Sequence, residues 1–411
     1  MKYEFNKIID RTGTDSLKWK KAKGMLPMWV ADMDIEAFPG IQDAIKKRAE
    51  HGIYGYTVLS DAWFDAYKYW WKTRHSFEIS REWMWFVTGV IPAMGSVIRR
   101  LSEEGDNVVI QSPVYPAFFK TVERNKRNVL ENVLKYDRDS GIYDIDWEDL
   151  EKKLSNPKTS LMIFCNPQNP SGNIWDKETL ERIGKLCSEN HVTVLSDEIH
   201  CDIVAPGRGY IPFASVSELN KKISVTFISP TKTFNIAGIQ TAAVFAPDPH
   251  IRRIITDGLI TDGIVEGNCF AMEAVKAAYT EEGSEWLDQL RIHIWNNRRI
   301  AEEYIKENIP ELKVIPSDGS YLMWVDCSEI MGVNDYDISS DSNNNDGSKI
   351  VHRSDDFVAH LEKKAGLMVN AGKAFGGNGD TFVRINLACP GQYLRDGMER
   401  LKSGVRSYNE R

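Results

Sequence analysis

The chain has 411 residues, of which 42% are hydrophobic and 27% charged, and its formal net charge is -8. These values are close to the globular average, so wholesale disorder, a collagen-like repeat and a membrane protein are disfavoured. The length predicts one large domain and a smaller one. The chain lacks the basic face that nucleic-acid binding normally needs, which favours small-molecule chemistry and no nucleic-acid partner.

Cysteine usage and the N-terminus indicate the compartment. The six cysteines form no CxxC pair and no regular spacing, so neither a zinc site nor a disulfide framework is expected. The first residues, MKYEFNKIIDR, lack the apolar core of a signal peptide, and no later stretch approaches the roughly 18 apolar residues of a membrane span. We expect a cytoplasmic protein with no membrane partner.

From about residue 83, short apolar runs alternate with amphipathic segments, which is typical of βα units around a mostly parallel sheet. Asp146 is the expected N-cap of one helix, DWEDLEKKL, and residues 176–190 place their apolar side chains on one helical stripe. The aromatic run at 62–71 also has helical spacing and is interpreted as core or dimer contact. The candidate strands are WMWFVT (83–88), NVVIQ (107–111), SLMIFC (160–165), HVTVLS (191–196), ISVTFIS (223–229) and QTAAVFA (240–246).

A long helical pattern at 284–308 ends before Pro310 and predicts the bridge to a second domain. Short strands then mix with helices, which is the α+β layout of a smaller domain. The polar stretch 334–349 is interpreted as a surface insert. The strands predicted here are YLMWVD (321–326), GLMVN (366–370) and TFVRINLA (381–388).

Four polar features follow predicted strands, where open α/β sheets place their ligand sites. They are TGVIPAMGS (88–96), CNPQNPSG (165–172), LSDEIHCD (195–202) and FISPTKTFNIAG (227–238). Each alone has an ordinary structural explanation, namely a tight connection, a proline turn, a helix N-cap and a solvated loop lysine. No GxGxxG, HExxH or GxSxG motif is present, so nucleotide, zinc-protease and α/β-hydrolase interpretations lose their usual support.

Together the four features are complementary to pyridoxal 5'-phosphate. The turn at 88–96 opens a helix whose free N–H groups could bind a phosphate. Asp197 follows a buried strand directly and needs a cation, such as a protonated ring nitrogen. An asparagine of 165–172 suits the ring hydroxyl, and Lys232 suits the aldehyde if its site disfavours the charged amine. We therefore expect this cofactor.

At these residues the chain resembles the fold-type I pyridoxal-phosphate enzymes of the aspartate aminotransferase superfamily. Within them it is most similar to the cystathionine β-lyases (C-S lyases) of the MalY/PatB type. LPMWVADMDI (26–35) and SPTKTFNIAG (229–238) are specific to that group, whereas NPxNPSG (166–172) and the order of Asp197 and Lys232 mark the superfamily. The resemblance covers nearly the whole chain.

The resemblance implies a particular architecture. It is an α/β fold whose large domain, residues 49–284, holds a mostly parallel seven-stranded sheet covered by helices. A smaller α+β domain is built from residues 1–48 and 285–411. The family also implies a homodimer.

The resemblance assigns roles residue by residue. Lys232 matches the catalytic lysine that bonds to the cofactor aldehyde, and Asp197 matches the partner of the pyridine nitrogen. Asn169 matches the ligand of the ring hydroxyl. His200 stands where many relatives have a tyrosine on the same hydroxyl, and Tyr115 matches the aromatic side chain that stacks on the ring.

The cofactor phosphate and the substrate have their own matches. The phosphate contacts would come from the amides of Val90 and Ile91, from Ser229, and from Tyr56 of a neighbouring subunit. Arg384 matches the arginine that binds the substrate α-carboxylate, a bidentate contact that suits guanidinium.

One departure bears on the reaction. Aspartate aminotransferases carry a phosphate-binding arginine eight residues after the lysine, where this chain has Gln240. The lyase group tolerates this departure, which weakens an aspartate aminotransferase assignment more than cofactor binding. The resemblance to that group implies α,β-elimination from L-cystathionine or related cysteine S-conjugates, which yields a thiol such as homocysteine, pyruvate and ammonia. An aminotransferase shares every cofactor residue and stays open as an alternative, and a regulatory protein-binding role is a second one.

Two further features are left open. Trp29, Asp32 and Met33 could line the site, although Trp and Met are more often packing residues and an acid beside a turn is often a cap. Cys201 follows His200 and suggests a nucleophile, but neighbours in sequence usually point apart, so this is disfavoured.

Overall fold

The computed structural model describes residues 2–332 and 353–411. The predicted insert at 334–349 lies outside the described residues. The strands are β1 (Leu26–Pro27), β2 (Met84–Val87), β3 (Asn107–Ser112), β4 (Asn128–Val133), β5 (Lys135–Asp137), β6 (Ile142–Asp144), β7 (Thr159–Cys165), β8 (Thr193–Asp197), β9 (Ser224–Ile228), β10 (Ala242–Phe245), β11 (Lys313–Val314), β12 (Leu322–Asp326), β13 (Leu367–Met368), β14 (Asn370–Ala371) and β15 (Phe382–Asn386). The helices are α1 (Leu17–Ala22), α2 (Pro39–Glu50), α3 (Asp61–His75), α4 (Val90–Leu101), α5 (Ala117–Arg124), α6 (Trp147–Leu154), α7 (Lys177–Glu189), α8 (Glu218–Lys222), α9 (Pro230–Thr233), α10 (Pro249–Thr261), α11 (Cys269–Ala278), α12 (Glu281–Asn308), α13 (Arg353–His360) and α14 (Gly391–Asn409).

A seven-stranded sheet forms the centre of the fold, in the order β2-β10-β9-β8-β7-β3-β4. Strand β10 is antiparallel to both of its neighbours, and the remaining pairs are parallel, so the predicted mostly parallel sheet is confirmed. The six strands predicted from 83 to 246 are all in it. The edge strand β4 was not predicted, because it is half-exposed and lacks a continuous apolar run.

Helices cover both faces of this sheet. On one face, alternate strand residues such as Val108 and Ile110 pack under α4, α5 and α10. On the other face, Val109 and Met162 pack under α6 and α7. Strands that are buried on both faces read as continuous apolar runs, which is why the sequence signal for them was strong.

Local capping and the aromatic run agree with the sequence. The carboxylate of Asp146 accepts a hydrogen bond from the N–H of Asp149 at 3.2 Å, and Asp176 accepts one from Thr179 at 2.8 Å, so α6 and α7 begin at aspartate N-caps. The helix α3 carries the aromatic run, and four of its rings are fully buried in the core, whereas Tyr69 is 41% exposed, so packing is the correct interpretation for those four. These rings are Trp63, Tyr67, Trp70 and Trp71.

A second, antiparallel sheet has the order β11-β12-β15-β14 and packs against α12 and α14. The long helix α12 begins at Glu281, slightly before its predicted start. Strand β1 pairs in parallel with β13, through Leu26 and Leu367, so the N-terminal segment joins the C-terminal part of the chain. The domain boundaries at residues 49 and 285 stay a prediction.

Membrane insertion has no support in the described helices. Among them, α12 and α14 exceed 18 residues, but both mix charged with apolar side chains. No helix of residues 2–332 and 353–411 is long and apolar enough to cross a membrane.

The N-cap of α7 can be tested by mutation. Replacing Asp176→Ala removes the acceptor for the N–H of Thr179 and is expected to lower the free energy of unfolding by about 1 kcal/mol. Urea unfolding followed by circular dichroism measures the change. Asp176→Ser, which keeps a capping oxygen, is the matched control and should lose much less; equal losses for both variants would contradict the cap.

Candidate active site

The site lies at one edge of the seven-stranded sheet. Strands β2, β9, β8, β7 and β3 run in the same direction, so their carboxyl ends meet at that edge. The loops that follow them carry nearly all of the predicted residues. These are Val90 and Ile91 after β2, Tyr115 after β3, Asn169 after β7, Asp197 and His200 at the end of β8, and Ser229 and Lys232 after β9.

Lys232 lies in the short helix α9, and its Nζ donates a hydrogen bond to the carbonyl of Ala31 at 2.6 Å. Burial and the nearby charge of Arg384 lower the pKa of Lys232 to about 8, against the opposing effect of Asp32 and Asp197. An amine with this pKa is neutral far more often at physiological pH than an ordinary lysine. The structure therefore places a potential base and nucleophile at the sheet edge.

Asp197 ends the central strand β8 and is 4% exposed. Its Oδ1 accepts a hydrogen bond from the N–H of Ile199 at 3.1 Å. Burial raises the pKa of Asp197 to about 6, although the Ile199 amide and the charge of Lys232 favour the carboxylate. The hydrogen bonds of the described residues use only Oδ1, so Oδ2 of this buried side chain is left for a cationic or N–H partner.

Arg384 comes from β15 in the second sheet and is 4% exposed. Its Nη1 donates to Oδ1 of Asn169 at 2.9 Å, and its Nη2 donates to Oδ1 of Asn370 at 2.7 Å and to the carbonyl of Trp29 at 3.1 Å. The guanidinium also lies 4.8 Å from the centre of the Phe375 ring. Burial lowers the pKa of Arg384 to about 10, which still leaves it charged at neutral pH.

The Arg384 contacts leave a donor for a ligand. In the part of the chain that the structure describes, its buried Nε has no hydrogen-bond partner. A buried, unpaired guanidinium N–H is costly unless a ligand meets it, and a carboxylate is the natural partner.

His200 and Tyr115 flank these charged groups. Burial, with the positive charges of Lys232 and Arg384, lowers the pKa of His200 to about 3, so its imidazole is neutral. Its Nδ1 lies 3.5 Å from the hydroxyl of Ser320. Tyr115 keeps 37% of its surface exposed, as a ring that is open to a cavity would.

The phosphate-binding residues predicted from the sequence adopt two different geometries. Val90 and Ile91 begin α4, so their N–H groups are among those that an α-helix cannot satisfy internally. The hydroxyl of Ser229 instead caps α9, because it accepts from the N–H of Thr231 at 3.1 Å and donates to the carbonyl of Thr241 at 2.7 Å. Gln240 is exposed in a left-handed conformation.

Tyr56 differs from the other predicted site residues, because its contacts within the described chain do not place it at the sheet edge. Its side chain is fully exposed, in a loop where Ile53 and Val58 are also largely exposed. An aromatic ring that is wholly in solvent beside other apolar side chains indicates an interface rather than a site within one chain.

Three residues that contact the site were not assigned a role from the sequence. The carbonyls of Trp29 and Ala31 hold Arg384 and Lys232, but main-chain acceptors leave no signal in the amino-acid type. Asn370 binds Arg384 from the neighbouring strand β14, and only the register of the second sheet brings the two together.

Glu198 follows Asp197 and is also fully buried. Its Oε1 accepts from the Ser196 hydroxyl at 2.8 Å and from the N–H of Phe213 at 3.0 Å, and burial raises the pKa of Glu198 to about 7. A second acid was visible in the sequence, but its burial was not.

The open candidates now have definite environments. Met33 is buried in the core, and Asp32 forms an ion pair with Arg11 at 2.8 Å. Cys201 is buried, and burial raises the pKa of its thiol well above the usual range, which argues against a nucleophile.

The buried Asp197 predicts a pH-dependent stability. Its folded-state pKa of about 6 exceeds the ordinary value of 3.8, so the folded chain keeps the proton to higher pH, and this stabilising contribution is lost as the pH rises from about 4 to about 6. The Asp197→Asn variant has no carboxyl group at this position, so its stability does not fall in this pH range for this reason. The cofactor-free variant should gain on the order of 3 kcal/mol over wild type across that range.

Urea unfolding at pH values between 4 and 7 measures this gain. Asp65→Asn, at an exposed position on α3, is the control and should leave the pH dependence of the wild type unchanged. A constant difference between wild type and Asp197→Asn at every pH would contradict the raised pKa.

Comparison with known proteins agrees with this geometry. Residues 32–401 match the aminotransferase class I and II family. The cystathionine beta-lyase PatB of Bacillus subtilis (strain 168) is 39% identical over 407 residues, which cover 98% of this chain and 99% of that protein. Protein MalY of Escherichia coli (strain K12) is 30% identical over 413 residues, with 98% and 99% covered.

A solved structure extends the likeness to three dimensions. The crystal structure of cystalysin from Treponema denticola, which contains a pyridoxal 5'-phosphate cofactor, is 30% identical and superposes with a TM-score of 0.90. The match covers 99% of this chain and 100% of that one. The predicted resemblance to the MalY/PatB type and the fold-type I architecture are thereby confirmed. This chain belongs to the aminotransferase class I and II family.

Proposed function

We propose that this chain is a pyridoxal-phosphate-dependent C-S β-lyase. It would cleave L-cystathionine, and related cysteine S-conjugates, to a thiol such as homocysteine, pyruvate and ammonia. The observation that carries the proposal is that the partly buried Lys232 meets the buried Asp197 and Arg384 at one sheet edge, with Nε of Arg384 left without a partner among the described residues. The Bacillus subtilis relative, named a cystathionine beta-lyase, supports the same reaction.

The residues at the sheet edge fit the cofactor. Asp197 offers a buried carboxylate oxygen to the ring nitrogen, and the neutral His200 can share the ring hydroxyl with Asn169. When bound, pyridoxal phosphate withdraws electrons from Cα of the amino acid and so allows its proton and then the β-thiol to leave. The residues that would hold it are Lys232, Asp197, Asn169, His200, Tyr115, Ser229, the amides of Val90 and Ile91, and Tyr56 from a second subunit.

Lys232 is the base of the proposed reaction. A general base works best with a pKa near the working pH, and the pKa of about 8 meets this condition. The amine would take the proton from Cα of the amino acid. The carbonyl of Ala31 at 2.6 Å holds the amine on one side and limits its movement.

Arg384 binds the substrate carboxylate. Asn169 and Asn370 fix the plane of its guanidinium through Nη1 and Nη2, which leaves Nε directed at a ligand. The fixed plane determines where the α-carboxylate sits, and hence which way the Cα–H bond points relative to Lys232.

An aminotransferase is the second candidate, because the family description covers that activity and the same residues would serve it. The two reactions differ in where Lys232 returns the proton. Gln240, exposed where aspartate aminotransferases have an arginine, favours the lyase.

Product analysis separates the two activities. Purified protein is expected to release pyruvate and a thiol from L-cystathionine with no keto acid present. Lys232→Ala should lower the rate by at least about a hundredfold, since a positioned base contributes about 100- to 10,000-fold. Lys222→Ala, at an exposed lysine of α8, is the matched control and should keep full activity.

Three outcomes would contradict the proposal. A strict requirement for a keto acid would favour the aminotransferase. Thiol release by Lys232→Ala at the wild-type rate would remove the lysine from the reaction, and a protein that never acquires a visible absorbance band with pyridoxal phosphate would exclude the cofactor.

We further propose that the enzyme is a homodimer in which Tyr56 reaches the phosphate of the partner's cofactor. Its fully exposed ring and the exposed Ile53 and Val58 support an interface at this loop. The six cysteines are buried free thiols, which suits the reducing cytoplasm, where we place the protein.

Replacing Tyr56→Phe tests the shared site. Loss of a hydrogen bond to a charged phosphate should weaken cofactor binding by about tenfold or more. Titration of cofactor-free protein measures the Kd. Tyr54→Phe is the neighbouring control, because the Tyr54 hydroxyl bonds within its own chain to Ala49 at 2.6 Å. A monomer in solution that binds the cofactor with unchanged Kd after Tyr56→Phe would refute the shared site.

A further inference from the structure

The segment 29–35, between β1 and α2, has an unusual pattern of hydrogen bonds. It belongs to no sheet, yet each carbonyl from 29 to 33 accepts a hydrogen bond from a side chain that lies elsewhere in the chain. The pairs are Trp29 with Arg384 at 3.1 Å, Val30 with Asn386 at 2.7 Å, Ala31 with Lys232 at 2.6 Å, Asp32 with Asn386 at 2.9 Å and Met33 with Asn235 at 3.0 Å.

The other side of this segment is held by charges from the N-terminus. Arg11 donates to both carboxylate oxygens of Asp32, at 2.8 and 3.1 Å, and to Oδ1 of Asp34 at 2.9 Å. Lys18, which is 1% exposed, donates to Oδ2 of Asp34 at 2.5 Å. A planar guanidinium that bridges two carboxylates fixes their geometry more closely than an ammonium could.

The two functional side chains therefore share one support. Lys232 and Arg384 bond to carbonyls that are two residues apart, so any displacement of the segment moves both of their acceptors together. The segment also carries the negative charge of Asp32, which stabilises the protonated form of Lys232. The charged and titratable groups that act on Lys232 are Asp32, Asp197, Arg384 and His200.

We propose that Arg11 and Asp32 are positioning residues for Lys232: their ion pair fixes segment 29–35, and with it both the Ala31 carbonyl that holds the amine and the net charge that the amine faces. Arg11 would neutralise Asp32 toward Lys232 while it anchors the segment. The inference rests on the proposed function only in taking Lys232 as the reactive lysine, and the test below does not use catalysis.

Two substitutions that break the same ion pair should shift the titration of Lys232 in opposite directions. Arg11→Met leaves the Asp32 carboxylate unneutralised, so the protonated amine is stabilised and the midpoint rises. Asp32→Asn removes the negative charge, so the midpoint falls. Each shift should be about half a pH unit, the order expected for one nearby unit charge in a water-like dielectric.

The measurement uses the full chain freed of cofactor. Acetic anhydride is applied in pulses at pH 6 to 10, and acetylation of Lys232 is quantified by peptide mass spectrometry. Arg299→Met, which breaks an exposed pair with Glu303 on α12, is the matched control and should leave the midpoint of Lys232 unchanged.

The sign of the shifts decides the outcome. A residue with a merely structural role would lower stability in both variants without opposite shifts. Shifts of the same sign, or no shift, would overturn the proposal. Arg11 and Asp32 are 21% and 28% exposed, so both variants are expected to fold; if one does not, the sign of the other alone decides. If the wild-type protein has no lyase activity, the proposed function is refuted, but the shifts in the titration of Lys232 still decide the present proposal.

Discussion

The burial of ionisable side chains at one sheet edge is the constraint on which the rest of the site depends. An unpaired charge removed from water costs several kcal/mol, so each such group must meet a partner or change its protonation. Arg384 meets two asparagine oxygens and a carbonyl, Lys232 meets a carbonyl, and Asp197 has a single backbone amide. For that reason the pKa of Lys232 is lowered and the pKa of Asp197 is raised, and both changes favour the neutral form of the side chain.

The parallel sheet explains why these groups meet at all. Six of the seven strands run in one direction and end at the same edge, where the antiparallel strand β10 begins, and the loops after five of the six carry the predicted site residues. The helices on both faces cover the strands themselves, so the polar loops at the strand ends lie at the boundary between the core and the candidate site. Such a boundary supplies both low dielectric and access for an amino acid.

The second sheet and the N-terminal segment supply the remaining side chains and carbonyls of the site. Strand β15 supplies Arg384, and segment 29–35 joins it to Lys232 through main-chain carbonyls. Because β1 pairs with β13, the N-terminal segment lies against the C-terminal part of the chain. The guanidinium of Arg384 and the amine of Lys232 are thus attached to one segment, so that a displacement of this segment would move the acceptors of both.

The sequence by itself determined the features that are local. Apolar runs, the Asp146 N-cap and the positions of Asp197 and Lys232 after strands were all predicted, because strand burial and helix capping depend on near neighbours. Tertiary structure alone decided the rest. The contact of Arg384 with Asn370, the anchoring by Arg11 and the acceptor at Ala31 join residues far apart in the chain, and backbone carbonyls carry no residue-specific signal. The pKa values follow from desolvation, which exists only once the chain has folded.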